Sequence, residues 1–166
     1  MNIVLIGYRG AGKSSVGRLL AARLGRELVS TDAEIVKRAQ RTIPEIVAQG
    51  GWEYFRDLES DICNELAGRD QLVIDTGGGA ILRAKNVEVL KKNGTLIWLE
   101  ASVGTITQRI GGDNQRPSLT GTKSFIDEVQ DVLRERAPKY QVAADHVITT
   151  DDRSIDQLVE MLLKLV

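Results

Sequence analysis

The chain has 166 residues, with 22 basic and 23 acidic side chains and a formal net charge of -1 at pH 7. Such a length predicts one domain over residues 1–166, and the balanced charge excludes a general attraction to nucleic acid or to an anionic membrane surface. The single cysteine excludes an intrachain disulfide and favours a reducing cytoplasm. The apolar start, Ile3 to Ile6, is too short to span a bilayer and has no signal-peptide pattern after it.

The first predicted element is the apolar strand Ile3 to Ile6, followed by GYRGAGKS at residues 7–14 and a helical pattern from Val16. This segment meets G-x-x-x-x-G-K-[ST], in which backbone N–H groups cradle phosphates and the lysine reaches the terminal ones. The helix that starts here adds the positive end of its dipole. The alternative is a glycine-rich turn with a solvated Lys13.

Five short apolar runs alternate with helical patterns, which predicts an α/β fold with a doubly wound parallel sheet. Two runs, Ile3 to Ile6 and Leu72 to Ile74, are continuously apolar and are expected at the centre of the sheet. The predicted strands are Asn2 to Gly7, Glu27 to Ser30, Leu72 to Thr76, Thr95 to Glu100 and His146 to Thr149.

Helix boundaries follow from capping signals and glycines. Capping boxes are predicted at Thr42 with Glu45 and at Ser154 with Gln157, and helix stops at Gly25 and Gly94. Residues 111–124 are polar and glycine-rich, which predicts a mobile loop.

Polar residues follow the second and third runs, at strand ends where ligands bind in open α/β sheets. Asp32 can accept a hydroxyl proton there, and its alternative role is the N-cap of the next helix. Gly77, Gly78 and Gly79 would let backbone approach a ligand closely, and their alternative is a flexible turn.

Four arginines complete the polar set: Arg56, Arg109, Arg116 and Arg136. Planar guanidinium groups bind carboxylates and transferring phosphoryl groups through paired hydrogen bonds. Each arginine by itself is more readily explained by a solvated surface position than by a role in binding.

Taken in chain order, these motifs resemble those of shikimate kinases over nearly the whole chain. They are GYRGAGKSSVGRLLA, STDAEI, FRDLE, TGGGA, the R-x6-RP pattern from Arg109 to Pro117, and RAPKYQVAA from Arg136 to Ala144. The resemblance implies a three-layer α-β-α fold of the phosphate-loop kinase type with a five-stranded parallel sheet. It also implies a substrate-binding region at about 32–60 and a lid at about 111–124.

By the same resemblance, the chain is expected to be a monomer that transfers the γ-phosphoryl group of ATP to the 3-hydroxyl of shikimate, in aromatic amino acid biosynthesis. The implied catalytic residues are Asp32, Lys13 and Arg116. The implied shikimate-binding residues are Asp32, Arg56, Gly77, Gly78, Gly79 and Arg136. The implied nucleotide-binding residues are Gly10, Ala11, Gly12, Lys13, Ser14, Ser15, Arg109, Arg116 and Arg153. Ser14 is expected to ligate Mg²⁺.

The chain departs from the family at two places. Shikimate kinases commonly carry an Asp-x-Asp pair whose first aspartate helps to hold the water shell of the metal, and here that residue is Ser30. Asp75 closes an apolar strand and is predicted to supply the missing carboxylate to the Mg²⁺ shell. Trp52 stands where the family usually has glutamate, so Arg56 is expected to lose an orienting partner.

Three other functions fit part of the pattern. A kinase for another small metabolite or a nucleoside monophosphate would share the phosphate loop and lid. A GTP-dependent switch protein would share the D-x-x-G formed by residues 75–78, but the chain has no N-K-x-D element for guanine. A nucleotide-binding module without catalysis would not explain why Asp32 and the arginines accompany the loop.

Overall fold

The computed structural model describes residues 1–111 and 124–166 of the chain. Within these ranges, five strands and seven α-helices alternate. The strands are β1 (Asn2–Ile6), β2 (Glu27–Ser30), β3 (Leu72–Asp75), β4 (Gly94–Glu100) and β5 (His146–Thr149). The helices are α1 (Lys13–Leu24), α2 (Thr31–Ala39), α3 (Ile43–Ala67), α4 (Ala84–Lys91), α5 (Val103–Ile110), α6 (Phe125–Ala143) and α7 (Ile155–Leu163). None of the helices in these ranges has the length and apolar character that a membrane span requires.

The strands form one parallel sheet in the order β2-β3-β1-β4-β5. Every residue of β1 and β3 is buried, as expected of strands covered on both faces. The prediction of a five-stranded parallel sheet with these two strands near its centre is confirmed. The strand bounds agree with the prediction to within one residue.

The strand order also explains the three layers. The chain crosses from β1 to β2 in one direction along the sheet and from β3 to β4 in the opposite direction. Because such crossovers are right-handed, α1 and α4 cover opposite faces. Helix α7 packs against α1, and α3 packs against α4, so two helical layers enclose the sheet.

Most predicted helix boundaries are confirmed. Both capping boxes are present, and Gly25 ends α1 in the left-handed conformation with φ 64°. The predicted stop at Gly94 is wrong, because α4 is capped by Lys92 and Gly94 begins β4. A Cβ atom at Gly94 would lie 2.6 Å from the Leu90 carbonyl oxygen, so a glycine is needed for the close approach of the helix end to the strand.

Helix α3 is interrupted at one residue. Gly51 has φ 75° and ψ 176°, so the element consists of two helical segments that meet at this residue. A positive φ of this kind is easily adopted only by glycine. The segment that follows carries Trp52, Phe55, Arg56 and Glu59 at helical spacing, and it contributes to the site described next.

The predicted loop lies almost entirely outside the described residues. Gly111 ends α5, and the side chain of Ser124 accepts a hydrogen bond from the Asp127 backbone to begin α6. Residues 112–123, which include Arg116, fall between them.

Candidate functional site

The phosphate loop connects β1 to α1 through three glycines with positive φ: Gly7 at 147°, Gly10 at 81° and Gly12 at 97°. Lys13 is the first residue of α1, and its ammonium group donates to the carbonyl oxygens of Gly7 at 2.8 Å and Tyr8 at 3.0 Å. The backbone N–H of Ala11 donates to the Tyr8 carbonyl oxygen at 3.1 Å. The loop is therefore curved and internally bonded, with the amino end of α1 at its base.

A cleft of about 550 Å³ opens beside this loop. It brings together the ends of β1, β2 and β3, as expected for parallel strands whose carboxyl ends share one edge of the sheet. The predicted site residues that line it are Gly10, Gly12, Lys13, Ser14, Ser15, Asp32, Asp75, Gly77, Gly78 and Arg109. Ala11, although part of the loop, is fully buried beneath it.

The side chains of Ser14 and Asp75 meet at the base of the cleft. The hydroxyl of Ser14 donates to a carboxylate oxygen of Asp75 at 2.5 Å, and Asp75 is buried. A hydroxyl and a carboxylate side by side next to a phosphate cradle are oxygen ligands of the kind that Mg²⁺ prefers. This pair fits the predicted metal site. The described residues contain no group of three His, Cys, Asp or Glu side chains that could hold a metal ion alone.

The structure tests the alternative role of Asp32 as the N-cap of α2. The N-cap of α2 is Ser30, whose hydroxyl accepts a hydrogen bond from the Ala33 backbone at 3.3 Å. Asp32 lies two residues further on, within the first turn, so the N-cap interpretation is wrong. Its half-buried side chain lines the cleft beside Gly77.

A side chain at two of the three glycines after β3 would collide with other site residues, and one at Gly78 would lie in tight contact with the Arg9 backbone nitrogen at 3.3 Å. A Cβ at Gly77 would lie 2.7 Å from a carboxylate oxygen of Asp32 and 2.9 Å from one of Glu59. A Cβ at Gly79 would overlap the guanidinium of Arg56. Glycine at residues 77 and 79 leaves room for the charged side chains that approach the backbone here, which favours the close-approach interpretation over a flexible turn.

Arg56 and Arg136 come together beyond the glycines. Both are buried, and they line a second cavity of about 450 Å³ between α3 and α6. A nitrogen of Arg136 lies 3.5 Å from where a Gly78 Cβ would be, and its guanidinium lies 6.0 Å from the centre of the Tyr8 ring. The predicted pair of arginines therefore exists, next to the predicted glycines.

A third arginine of that cavity, Arg83, already has three partners. It binds Glu53 at 2.7 Å, Asp57 at 2.8 Å and the Ser60 hydroxyl at 3.2 Å. Two carboxylates and a hydroxyl already occupy this guanidinium, whereas Arg56 has a carboxylate partner and keeps further N–H donors. Arg56 and Arg136 are therefore better suited than Arg83 to an acidic ligand.

Trp52 offers Arg56 no carboxylate, but an acidic residue one turn later on the same helix does. A nitrogen of its guanidinium donates to Glu59 at 2.9 Å, and the Glu59 side chain is completely buried. Glu59 belongs to the FRDLE motif but was not predicted as a site residue. The signal was available in its i,i+3 spacing from Arg56, which brings the two side chains together on a helix.

Tyr140 is a second residue that the sequence did not point to. It lies one turn after Arg136 on α6, donates a short hydrogen bond to the carbonyl oxygen of Gly78 and stacks on Trp98 at 5.5 Å. Burial raises the pKa of its hydroxyl to about 12, so the group stays a neutral donor over the physiological range. The bond ties α6 to the glycine segment.

Two arginines of the implied nucleotide-binding set, Arg109 and Arg153, lie in different places. Arg109 donates to the Gly10 carbonyl oxygen at 3.0 Å and covers the outer side of the phosphate loop. Arg153 donates to the Thr149 carbonyl oxygen at 2.6 Å and lines a separate depression on α7. The structure thus brings Arg109, but not Arg153, to the cleft. The remaining predicted residue, Arg116, lies outside the described residues.

The assembled site can bind phosphates at the loop and hold a small acid at the two buried arginines. Asp32 offers a carboxylate between the phosphate loop and those arginines. A carboxylate near the cradle can receive the proton of an attacking hydroxyl. This is the arrangement that transfer of a phosphoryl group to an acidic alcohol requires.

Comparisons with known proteins point to one family. The family model for shikimate kinase matches residues 9–166. The shikimate kinase of Nitratidesulfovibrio vulgaris is 47% identical over 152 residues, which cover 90% of this chain and 86% of that protein. The shikimate kinase of Syntrophus aciditrophicus is 42% identical, with coverage of 98% and 89%.

Solved structures give the same result. The shikimate kinase of Acinetobacter baumannii, determined in complex with shikimate, superposes with a TM-score of 0.94 at 40% identity, covering 99% of this chain and 91% of that chain. The enzyme of Aquifex aeolicus gives 0.82 at 31% identity, with coverage of 99% and 96%. A gluconokinase from Sinorhizobium meliloti gives 0.60 at 17% identity, which shows a shared fold alone.

Proposed function

This chain belongs to the shikimate kinase family, and we propose that it transfers the γ-phosphoryl group of ATP to the 3-hydroxyl of shikimate. The products are shikimate 3-phosphate and ADP. The relative from Acinetobacter baumannii, whose structure holds shikimate, supports this acceptor. The observation that carries the proposal is the row of glycines, Gly77 to Gly79, which has Asp32 at one end and Arg56 at the other.

The acceptor is fixed by charge. Arg56 and Arg136 bind the carboxylate of shikimate, and the backbone at Gly78 and Gly79 approaches the ring. Burial strengthens these charge-assisted hydrogen bonds, because little water competes for the guanidinium groups. A neutral sugar offers no carboxylate to these guanidinium groups, so the N–H donors of Arg56 that Glu59 does not bind and those of Arg136 would lose water without gaining a charged acceptor, and the site rejects it.

The reaction starts from an acceptor held between the arginines and the phosphate loop. The 3-hydroxyl oxygen attacks the γ-phosphorus, the bond from that phosphorus to the bridging oxygen of ADP breaks, and the hydroxyl proton passes to the Asp32 carboxylate. Lys13 stabilises the charge on the transferring group, and Arg116 does the same from a lid at about 111–124. Closure of such a lid excludes water as a competing acceptor.

The nucleotide phosphates lie against the backbone of Gly10, Ala11 and Gly12 and against Lys13, Ser14 and Ser15. Arg109 flanks the base. Arg153 flanks it from the other side only if its side chain leaves the Thr149 carbonyl oxygen to which it donates.

The metal site consists of Ser14 and Asp75. Mg²⁺ would be held by the Ser14 hydroxyl and, through its water shell, by the Asp75 carboxylate. The bound ion would neutralise charge on the nucleotide phosphates. The hydrogen bond between these two side chains supports this assignment, because the Ser14 hydroxyl can donate its proton to Asp75 and still offer an oxygen lone pair to the ion.

An ADP-release assay with and without shikimate tests the function, with formation of shikimate 3-phosphate followed by phosphorus NMR. We expect ATP turnover to depend on shikimate. Turnover with gluconate or a nucleoside monophosphate and none with shikimate would replace the proposed acceptor. Turnover of ATP unaffected by all three would mean that the site does not transfer phosphoryl groups to small alcohols.

A further inference from the structure

Trp52 packs against one of the two arginines that bind the acceptor. The guanidinium carbon of Arg56 lies 5.2 Å from the centre of the Trp52 ring, within the range of a cation–π interaction. The Phe55 ring lies at the same distance from Arg56. The cation is therefore flanked by two aromatic rings, of which Phe55 is fully buried and Trp52 half-buried.

The orientation of the Trp52 ring is itself fixed. It meets the Phe55 ring edge to face, with centres 5.5 Å apart and planes at 82°. Trp52 also follows the break at Gly51, so it lies at the start of a new helical segment, one turn before Arg56. The break at Gly51 thus places the face of the Trp52 ring over the guanidinium of Arg56.

The guanidinium of Arg56 has a carboxylate and a stretch of backbone beside it in addition to the aromatic rings. Glu59 holds one nitrogen at 2.9 Å, and the backbone of Gly79 lies against the guanidinium. A guanidinium carries five N–H donors, so the bond to Glu59 leaves others for an acceptor carboxylate. Trp52 and Arg56 line the same cavity, and the indole is the wall beside the cation.

We propose that Trp52 is a positioning residue for Arg56, which uses its indole face to hold the guanidinium in the orientation that receives the carboxylate of the acceptor. The inference rests on the proposed function. A cation held in advance loses less side-chain freedom when the acceptor binds, so the effect falls on acceptor affinity. Trp52 touches neither the phosphate loop nor Asp32 in the contacts described, so the phosphoryl-transfer step is unaffected.

The first test compares Trp52→Leu and Trp52→Phe with the unaltered chain. For Trp52→Leu we expect the KM for shikimate to rise about threefold to thirtyfold, from the usual strength of a cation–π contact. The KM for ATP and kcat should stay within about twofold. Trp52→Phe keeps a π face and should recover most of the loss. Tyr54→Leu is the matched control, because Tyr54 is an exposed aromatic residue on the same segment.

A second test separates the electrostatic role from simple packing. Tetrafluorotryptophan, placed at residue 52 by stop-codon suppression, keeps the ring shape but weakens the negative potential of its face. We expect it to raise the KM for shikimate nearly as much as leucine does. The methyl ester of shikimate lacks the charge that Arg56 binds, so calorimetry should give the same affinity for it with Trp52→Leu as with the unaltered chain.

The outcomes distinguish this inference from the function on which it rests. Absence of shikimate turnover by the unaltered chain would overturn both. Normal turnover with an unchanged KM in the fluorinated chain would overturn the positioning role alone, and so would an equal loss of affinity for the acid and its ester. The fluorinated variant preserves the shape of the ring, and the phenylalanine variant keeps an aromatic ring, so both remain informative if Trp52→Leu does not fold.

Discussion

Asp75 on β3 lies directly opposite Ser30 on β2 in the parallel ladder between the two strands. The family commonly carries its metal-associated aspartate at the position of Ser30. In this chain, the carboxylate stands on the neighbouring strand, at the same level of the sheet, and Ser14 of the phosphate loop donates to it. Residues 30 and 75 both line the cleft beside the phosphate loop, so a carboxylate at either position lies near that loop.

This relationship predicts a rescue. Asp75→Asn should raise the half-saturating Mg²⁺ concentration roughly tenfold, because a charged partner of the metal's shell is lost. Adding Ser30→Asp should restore it, and aspartate keeps the N-cap that Ser30 provides to α2. Activity against Mg²⁺ concentration and Mg²⁺-dependent ATP binding by calorimetry measure both changes. An unchanged Mg²⁺ requirement in Asp75→Asn would contradict the assignment.

The close approach of Arg56 to Gly79 predicts the effect of one methyl group. Gly79 has φ -100°, so alanine would be free of backbone strain and would act only by displacing the guanidinium. Gly79→Ala should raise the KM for shikimate more than about tenfold, which corresponds to the loss of a charged hydrogen bond, and leave the KM for ATP unchanged. Gly104→Ala is the control, because its Cβ would meet nothing closer than 4.0 Å. Steady-state kinetics with each substrate varied would detect the difference.

The buried pair of Arg56 and Glu59 predicts a large loss of stability. Glu59→Ala leaves a buried guanidinium without this carboxylate, which should lower the free energy of unfolding by about 3–5 kcal/mol. Glu65 lies on the same helix as Glu59 and pairs with Arg38 of α2, and both of these side chains are exposed. Glu65→Ala should therefore lower the free energy of unfolding by less than about 1 kcal/mol. Urea denaturation gives both values. Equal losses in the two variants would mean that burial of the pair has no special weight.

Cys63 predicts a pH dependence of stability. Burial, with a smaller contribution from the charge of Glu59, raises the pKa of its thiol from 9.0 to about 12. Above pH 9 the unfolded chain therefore loses this proton before the folded chain does, and stability falls as pH rises towards 12. Between pH 8 and pH 10 the loss should be about 1.4 kcal/mol for this residue. Urea denaturation of Cys63→Ala should show a correspondingly flatter dependence, and identical slopes would argue against a buried neutral thiol.

Arg116 predicts a separation of turnover from binding. If it reaches the transferring phosphoryl group only when the lid closes, Arg116→Ala should reduce kcat at least about a hundredfold while the affinity for shikimate stays within about threefold. Calorimetric titration with shikimate and a single-turnover assay make the comparison. Losses of similar size in both would place this arginine on the acceptor instead.

The sequence predicted the fold and most of the site because both depend on local patterns. Apolar runs, capping boxes and the phosphate-loop spacing act over a few residues, and they were enough to place Lys13 after the loop that follows β1 and Asp32 just after β2. The sequence did not predict that Ser30 and Asp75 lie opposite each other in the sheet. The two residues are far apart in the chain, and they pair only because β3 lies beside β2. The N-cap of α2 depended on where β2 ends, since Ser30 and Asp32 are equally good caps.

The partners of Arg56 show a different limit. Spacing along a helix brings Trp52 and Glu59 to the same side as Arg56, but it does not tell which side faces the glycines. The break at Gly51 sets that orientation, and a glycine within a helical pattern is as compatible with a continuous helix as with a kink. Arg153 shows a third limit of prediction from sequence. The residues around it do not indicate which way its side chain points, and in the structure it donates to the Thr149 carbonyl oxygen, away from the cleft.

The hydrogen bonds from Lys13 to the carbonyl oxygens of Gly7 and Tyr8 hold the phosphate loop in its curved shape. In the proposed binding of ATP, the ammonium group would exchange these two carbonyl oxygens for phosphate oxygens, and a loop that is already curved would have little left to order. Removing the charge of Lys13 should therefore do more than weaken an attraction to phosphate. It would also loosen the empty loop, so that every later nucleotide must shape its own binding surface before it can be held.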